Sequence, residues 1–206
     1  MARRSGWIET GCWLLLWLCV SPVWAGDLAA KLALDQPRQF RYQETRHLAL
    51  LAKPWRGSGF MIADPDGTLV KLQLLPERLV LIATPEELLY YDPVASERRR
   101  LALPSSLPQV QGIVLLQHLL RGDLEAVSRE FNLEEQETET GWRLVLTPKR
   151  PDSPFRRVIL GEDDKGRYLT VEERDGDCSL TRLTPDEAGA RLKVRIARLL
   201  QQAKGE

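Results

Sequence analysis

Two histidines, one cysteine outside the N-terminal segment and one glycine-flanked serine are the side chains whose types could support covalent or metal chemistry. A zinc site gathers several His, Cys or Asp ligands, often at i+2 to i+4 spacing. Neither His47 nor His118 has a second His or Cys at that spacing. His118 also falls inside an apolar run of helical period, where a packed histidine is commoner than a ligand. Gly57-Ser58-Gly59 lacks the spacing of a Gly-x-Ser-x-Gly nucleophile elbow and precedes a strand pattern, so its glycines read as close-packing residues. Cys178 has no sequence neighbour that would activate it and reads as a small, half-buried strand residue. No glycine-rich phosphate loop opens a helix. The Asp and Glu clusters lie in turns and read as solvated, while acid–base pairs across a cleft are a tertiary matter. The expectation is a protein that is not an enzyme, with no metal and no cofactor.

The elements that must position any site begin after an export signal. Arg3 and Arg4 precede the uncharged run Trp13-Leu14-Leu15-Leu16-Trp17-Leu18-Cys19-Val20, and Ser21-Pro22-Val23-Trp24-Ala25 ends it with small residues two apart. Cleavage after Ala25 is expected. The apolar run is about half the ~20 residues a membrane span requires. Leu18 before Cys19 disfavours acylation there, and the residues around Arg3-Arg4 fit a twin-arginine signal loosely, which leaves general secretion. The full chain carries 29 basic and 29 acidic residues. Removing Arg3, Arg4 and Glu9 leaves 29 − 2 = 27 against 29 − 1 = 28, a net charge of −1. That balance gives no reason to expect nucleic acid or an anionic membrane surface as a partner. Cys178 is then the sole thiol, so no internal disulfide is expected and apolar burial must hold the fold.

Residues 26–206 read as one domain. A short helix over Leu28–Leu34, with Asp27 as its cap, precedes a strand over Phe40–Arg46. From Gly57 to Leu103 short strands alternate with turn signals such as Asp64-Pro65-Asp66-Gly67 and Asp92-Pro93, the mark of an antiparallel meander. A helical insert at about 108–131 follows, its first helix carried by Val110, Ile113, Val114, Leu116, Leu119 and Leu120, with Asp123 capping the second. Strands resume after Gly141. A C-terminal helix is expected at about 185–204, capped by Thr184 with Pro185 at its first position. The order predicts an α+β fold: one strongly curved antiparallel sheet, an unclosed barrel, with helices lidding the concave face.

Arg78-Leu79-Val80-Leu81-Ile82-Ala83 and Leu88-Leu89-Tyr90-Tyr91 are apolar on both strand faces, whereas a one-sided antiparallel strand alternates. Such strands need cover on both sides. Two readings follow: a core on one face with loops or a partner on the other, or a concave wall enclosing an apolar ligand.

The chain resembles the periplasmic outer-membrane lipoprotein carrier (LolA-like) family of Gram-negative bacteria, as a divergent relative. The resemblance rests on Phe40-Arg41-Tyr42-Gln43-Glu44 after a short helix, Gly57-Ser58-Gly59-Phe60-Met61-Ile62 with the turn at Asp64-Pro65, Leu88-Leu89-Tyr90-Tyr91-Asp92-Pro93, and Trp142 to Lys149 after the helical insert. It spans about Leu28 to Leu183. It implies an unclosed barrel that binds acyl chains of lipoproteins or another lipid and shuttles them from an inner-membrane donor complex to an outer-membrane acceptor, as a monomer in the periplasm. On the reading of an apolar cavity, Phe60, Ile62, Val70, Leu72, Leu79, Leu81, Leu89, Tyr91, Leu116 and Leu120 are the candidates for its wall or lid. The family's cargo-gating arginine would stand where this chain has Asp64, so a lid latched by that arginine is not available in the same form. The alternative is a non-enzymatic periplasmic protein-interaction module of the same fold with a filled core.

Overall fold

A computed structural model describes residues 24–103 and 108–205. Residues 1–23 of the expected export signal lie outside the described residues. Helix α1 (Trp24–Leu32) leads into β1 (Arg38–His47), β2 (Trp55–Ala63), β3 (Leu69–Leu75), β4 (Leu79–Ala83), β5 (Glu87–Asp92) and β6 (Glu97–Ala102). The pair α2 (Pro108–Leu120) and α3 (Leu124–Glu130) follows. The chain then returns through β7 (Phe131–Thr138), β8 (Gly141–Pro148), β9 (Phe155–Asp163), β10 (Gly166–Glu173) and β11 (Cys178–Ala188) to α4 (Arg191–Lys204).

Local chemistry sets the turns. At the β2–β3 turn the Asp64 amide donates to the Thr68 carbonyl at 2.9 Å, and its Oδ1 accepts from the Asp66 amide at 3.1 Å. Gly67 closes that turn at φ +97°, a conformation that side chains with a Cβ rarely adopt. Between the helices, Gly122 at φ +68° ends α2, and Asp123 caps α3 through the Ala126 amide at 3.1 Å.

All eleven strands form one antiparallel sheet in the order β6-β5-β4-β3-β2-β1-β11-β10-β9-β8-β7. Strand β11 pairs with β1, Leu183 opposite Tyr42, and so joins two meanders at the centre. Helix α2 touches both arms. Its Leu115 and Leu119 pack with Leu144, Leu146 and Phe155, and its Ile113, Leu116 and Leu120 pack against Ala63, Leu69 and Ala83. Strands β4 and β8 stand seven places apart in the order, about 34 Å in a flat sheet. A helix of 13 residues is only about 20 Å long. The sheet must therefore curl around α2, and β6 and β7 remain its two edges: an unclosed barrel, as the sequence predicts. The edges carry Arg98, Arg99 and Arg100 on one side and Glu134, Glu135 and Glu137 on the other, charges that discourage strand addition.

The structure corrects one expectation and refines another. Thr184 and Pro185 do not cap a helix; they continue β11 opposite Arg41 and Phe40, with Pro185 at a register shift. Pairing with β1 outcompetes the local capping signal, and the helix starts only after Gly189, with Ala190 making no side-chain cap. Helices α1–α3 lid the concave face as expected, while α4 lies elsewhere. Leu192, Ile196 and Ala203 of α4 pack with Ile62, Val70, Val80, Ile82 and Leu89. These strand residues alternate with Ala63, Leu69 and Ala83, which face α2. Helix α4 therefore covers the convex face of β2–β5. Those strands are apolar on both sides because they are sandwiched between α4 and α2.

Candidate functional site

Under α2 and α3 the concave face opens into a cleft of about 490 Å³. Val114 and Leu115 of α2, Ala126 and Val127 of α3, Phe131 and Pro148 of β7 and β8, and Phe155 of β9 form its apolar wall. Gln111, His118, Glu130, Arg150, Asp152 and Ser153 complete the lining. The rings of Phe131 and Phe155 lie 6.4 Å apart and tilted, a favourable aromatic geometry. The volume is within the ~300–1,000 Å³ usual for small-molecule sites. A shallower hollow of about 720 Å³ opens on the other side of α3, between Leu28, Leu133 and Leu144.

The helix roof is held to the strand tips by Gln117. Its buried Nε2 donates to the Gly67 carbonyl at 2.8 Å and to the Thr84 carbonyl at 3.1 Å. The latch here runs from helix to sheet, while Asp64 is buried in its own turn.

Next to the apolar cleft, the middle of the concave face is polar. Period-2 alternation puts Tyr42 and Glu44 of β1, Lys71 and Gln73 of β3, and Thr181 of β11 on that face. Glu44 is 5% exposed and accepts from Lys71 Nζ at 2.5 Å and from Arg46 Nε at 2.7 Å. Burial would raise its carboxyl pKa, but the two cations outweigh burial and hold it below its ordinary value. The Trp55 ring lies over Gly57, where a Cβ would sit 2.3 Å from the indole, and Arg46 stacks 5.1 Å from that ring. Tyr42 is 1% exposed, with Lys71 Nζ 4.9 Å from its ring centre. Its hydroxyl is buried without a hydrogen-bond partner. Burial first, and then the nearby Glu44, raise its pKa and keep it protonated as a donor.

The sequence-derived wall candidates divide between three places. Ile62, Val70 and Leu89 are fully packed beneath α4, with Leu72 and Tyr91 against the same cluster. Phe60 shares that face, between the guanidinium groups of Arg41 and Arg195 at 5.8 and 5.6 Å. Leu79 and Leu81 are half-buried on the concave face, opposite Gln73 and Lys71. Leu116 and Leu120 pack from α2 onto Ala63, Leu69 and Ala83. None of these residues lines the cleft. The polar stripe has no local signature in the sequence. The even positions of Phe40-Arg41-Tyr42-Gln43-Glu44 put a carboxylate in line with two aromatics, a signal legible only once that face is known to be buried.

Of the residues first weighed for chemistry, His118 lies apart from His47 and Cys178. His118 is half-exposed at the cleft, its Nδ1 3.0 Å from Asp123 Oδ2. His47 and Cys178 are register partners at a strand end. Burial and the neighbouring Glu172 nevertheless push the Cys178 thiol up, the opposite of activation. No group of three or more His, Cys, Asp or Glu placed to hold a metal ion occurs among the described residues, and no helix among them is long and apolar enough to cross a membrane.

No protein-family model and no curated protein sequence matches the chain. Among solved structures the fold is similar to that of a LolA superfamily protein from Nitrosomonas europaea, at TM-score 0.43 and 12% identity, covering 78% of this chain and 90% of that one. It is similar to an uncharacterized conserved protein from Thermus thermophilus, at TM-score 0.48 and 12% identity, covering 83% and 90%. It is also similar to a putative outer membrane lipoprotein-sorting protein domain from Vibrio parahaemolyticus, at TM-score 0.42 and 7% identity, covering 86% and 97%. At such identities the likeness concerns the course of the chain alone.

Proposed function

We propose that this chain is an exported, non-enzymatic carrier, a divergent relative of the periplasmic lipoprotein carriers, that shields an acyl chain on its concave face. The observation that supports this reading is the apolar cleft of about 490 Å³ roofed by α2 and α3. Each CH₂ buried there contributes about 0.8 kcal/mol, so enclosing part of one chain suffices for useful affinity. A roof of two short helices fastened by side-chain bonds such as those of Gln117 permits release. In this reading the protein works as a periplasmic monomer. It takes lipoprotein acyl chains or another lipid from an inner-membrane donor and yields them to an outer-membrane acceptor. Nucleic acid has no part in it.

The test is native mass spectrometry of protein purified from its own compartment, paired with titration of a fluorescent acyl probe. Fatty-acyl adducts are expected. Val114→Glu, at a half-buried cleft position, should abolish probe binding while the fold survives. A clean apo mass with no probe response in the wild type would sink the reading.

A specific observation also favours the second reading, an interaction module. Leu50, Leu51, Leu75 and Val94 are 97%, 53%, 61% and 82% exposed. All four lie in or beside the β1–β2, β3–β4 and β5–β6 turns, at one end of the sheet. An apolar rim of this kind suits a macromolecular partner. Replacing Leu50 and Leu51 by Ser would abolish partner capture in that case and leave acyl binding intact.

A further inference from the structure

Among the described residues the Tyr42 hydroxyl is, with Arg38 Nε and Glu87 Oε2, one of the buried polar atoms without a hydrogen-bond partner, and the one on the concave face beside the cation pair. A buried donor without a partner costs free energy comparable to a lost hydrogen bond, so such groups mark a place where something binds. Around it stand Glu44, Lys71 and Arg46, with Glu173 near enough to Arg46 to interact with it, two negative and two positive charges. Lys71 has three N–H donors, of which one is used on Glu44. Arg46 is the most open of the group, its side chain 45% exposed against 16% for Lys71, and provides the way in from solvent.

Apolar surface adjoins this cluster. Glu44 pairs with Thr181, and Thr181 with Leu169. Leu169 and Val171 pack against the apolar cluster that contains Phe155, a residue of the cleft wall. A ligand with one charged end and one apolar chain would find both of its requirements on this single face.

We propose that the polar stripe is a seat for the carboxylate of a single-chain fatty acid, received by the Tyr42 hydroxyl, Lys71 and Arg46, with the chain running toward the cleft. This rests on the carrier reading and adds the chemistry of the head to it. The cleft of about 490 Å³ is of a size for one chain.

Wild type, Tyr42→Phe and Arg46→Gln should each be titrated by displacement of a fluorescent acyl probe with palmitate and with methyl palmitate. The two ligands share a chain and differ in the anionic head. The wild type should prefer palmitate about ten- to hundredfold, the range of a hydrogen bond to a charged group. Tyr42→Phe should lose most of that preference while binding methyl palmitate as before, and Arg46→Gln should lose part of it. Equal binding of the two ligands by the wild type, or a preference that survives both substitutions, overturns the seat and leaves the carrier standing. Failure of the probe and both ligands to bind overturns both.

Discussion

The two arms of the sheet bury their apolar surface in different ways. Strands β2–β5 lie between α4 on the convex face and α2 on the concave face, and Ile62, Val70 and Ile82 are 0% exposed. Among the described residues, strands β7–β10 are covered by helices on one face, by α1–α3, and the described cleft opens there. The first arm is a filled three-layer core, and such packing leaves no room for a guest. Among the described residues the second arm has a roof but no backing helix. Scaffold and site thus occupy different arms, with the charged stripe of β1 and β3 along the seam.

Breaking the seam should have the largest effect. Lys71→Met leaves Glu44 buried with only the half-exposed Arg46, and loss of one partner of a buried pair costs about 3–5 kcal/mol. Urea unfolding measures this; a change below about 1 kcal/mol would mean that water reaches Glu44. On the scaffold arm, Leu192→Ala removes a fully buried contact of α4 and should cost about 2–5 kcal/mol. Acyl-probe affinity measured well below the unfolding midpoint should stay within about twofold. A larger loss of affinity would show that the arms are coupled.

The seam also predicts a pH dependence. The folded Glu44 carboxyl titrates below its ordinary value of 4.5, so its contribution is fully present above that pH. It is lost as the pH falls through the folded value, because the unfolded chain takes up the proton first. Between pH 5 and pH 3, Glu44→Gln should therefore lose less stability than the wild type. Parallel curves of urea midpoint against pH would refute the charged pair. The smallest effect has the opposite sign. Tyr42→Phe removes an orphaned donor and should stabilise the ligand-free protein by about 1 kcal/mol. A destabilised variant would reveal a hidden partner for the hydroxyl.

The sequence by itself determined the element order, because local signals sufficed. Asp64-Pro65-Asp66-Gly67 makes its turn from its own side chains, and Asp123 caps α3 through a neighbouring amide. The doubly apolar β4 and β5 were legible as strands needing two covers. Which element covers which face was not, since one residue of register exchanges the two faces of a strand. For that reason Ile62 and Val70, read as cavity wall, are the packed floor beneath α4, while Phe155 and Val127 line the cleft. The end of β11 departs from its local signal because Thr184-Pro185 carries a helix-start pattern, and only pairing with β1 across more than a hundred residues overrides it. Tertiary structure alone decided that Tyr42, Glu44 and Lys71 meet away from water. A sequence shows charge, but the desolvation that gives a buried charge its consequence comes from neighbours distant in the chain.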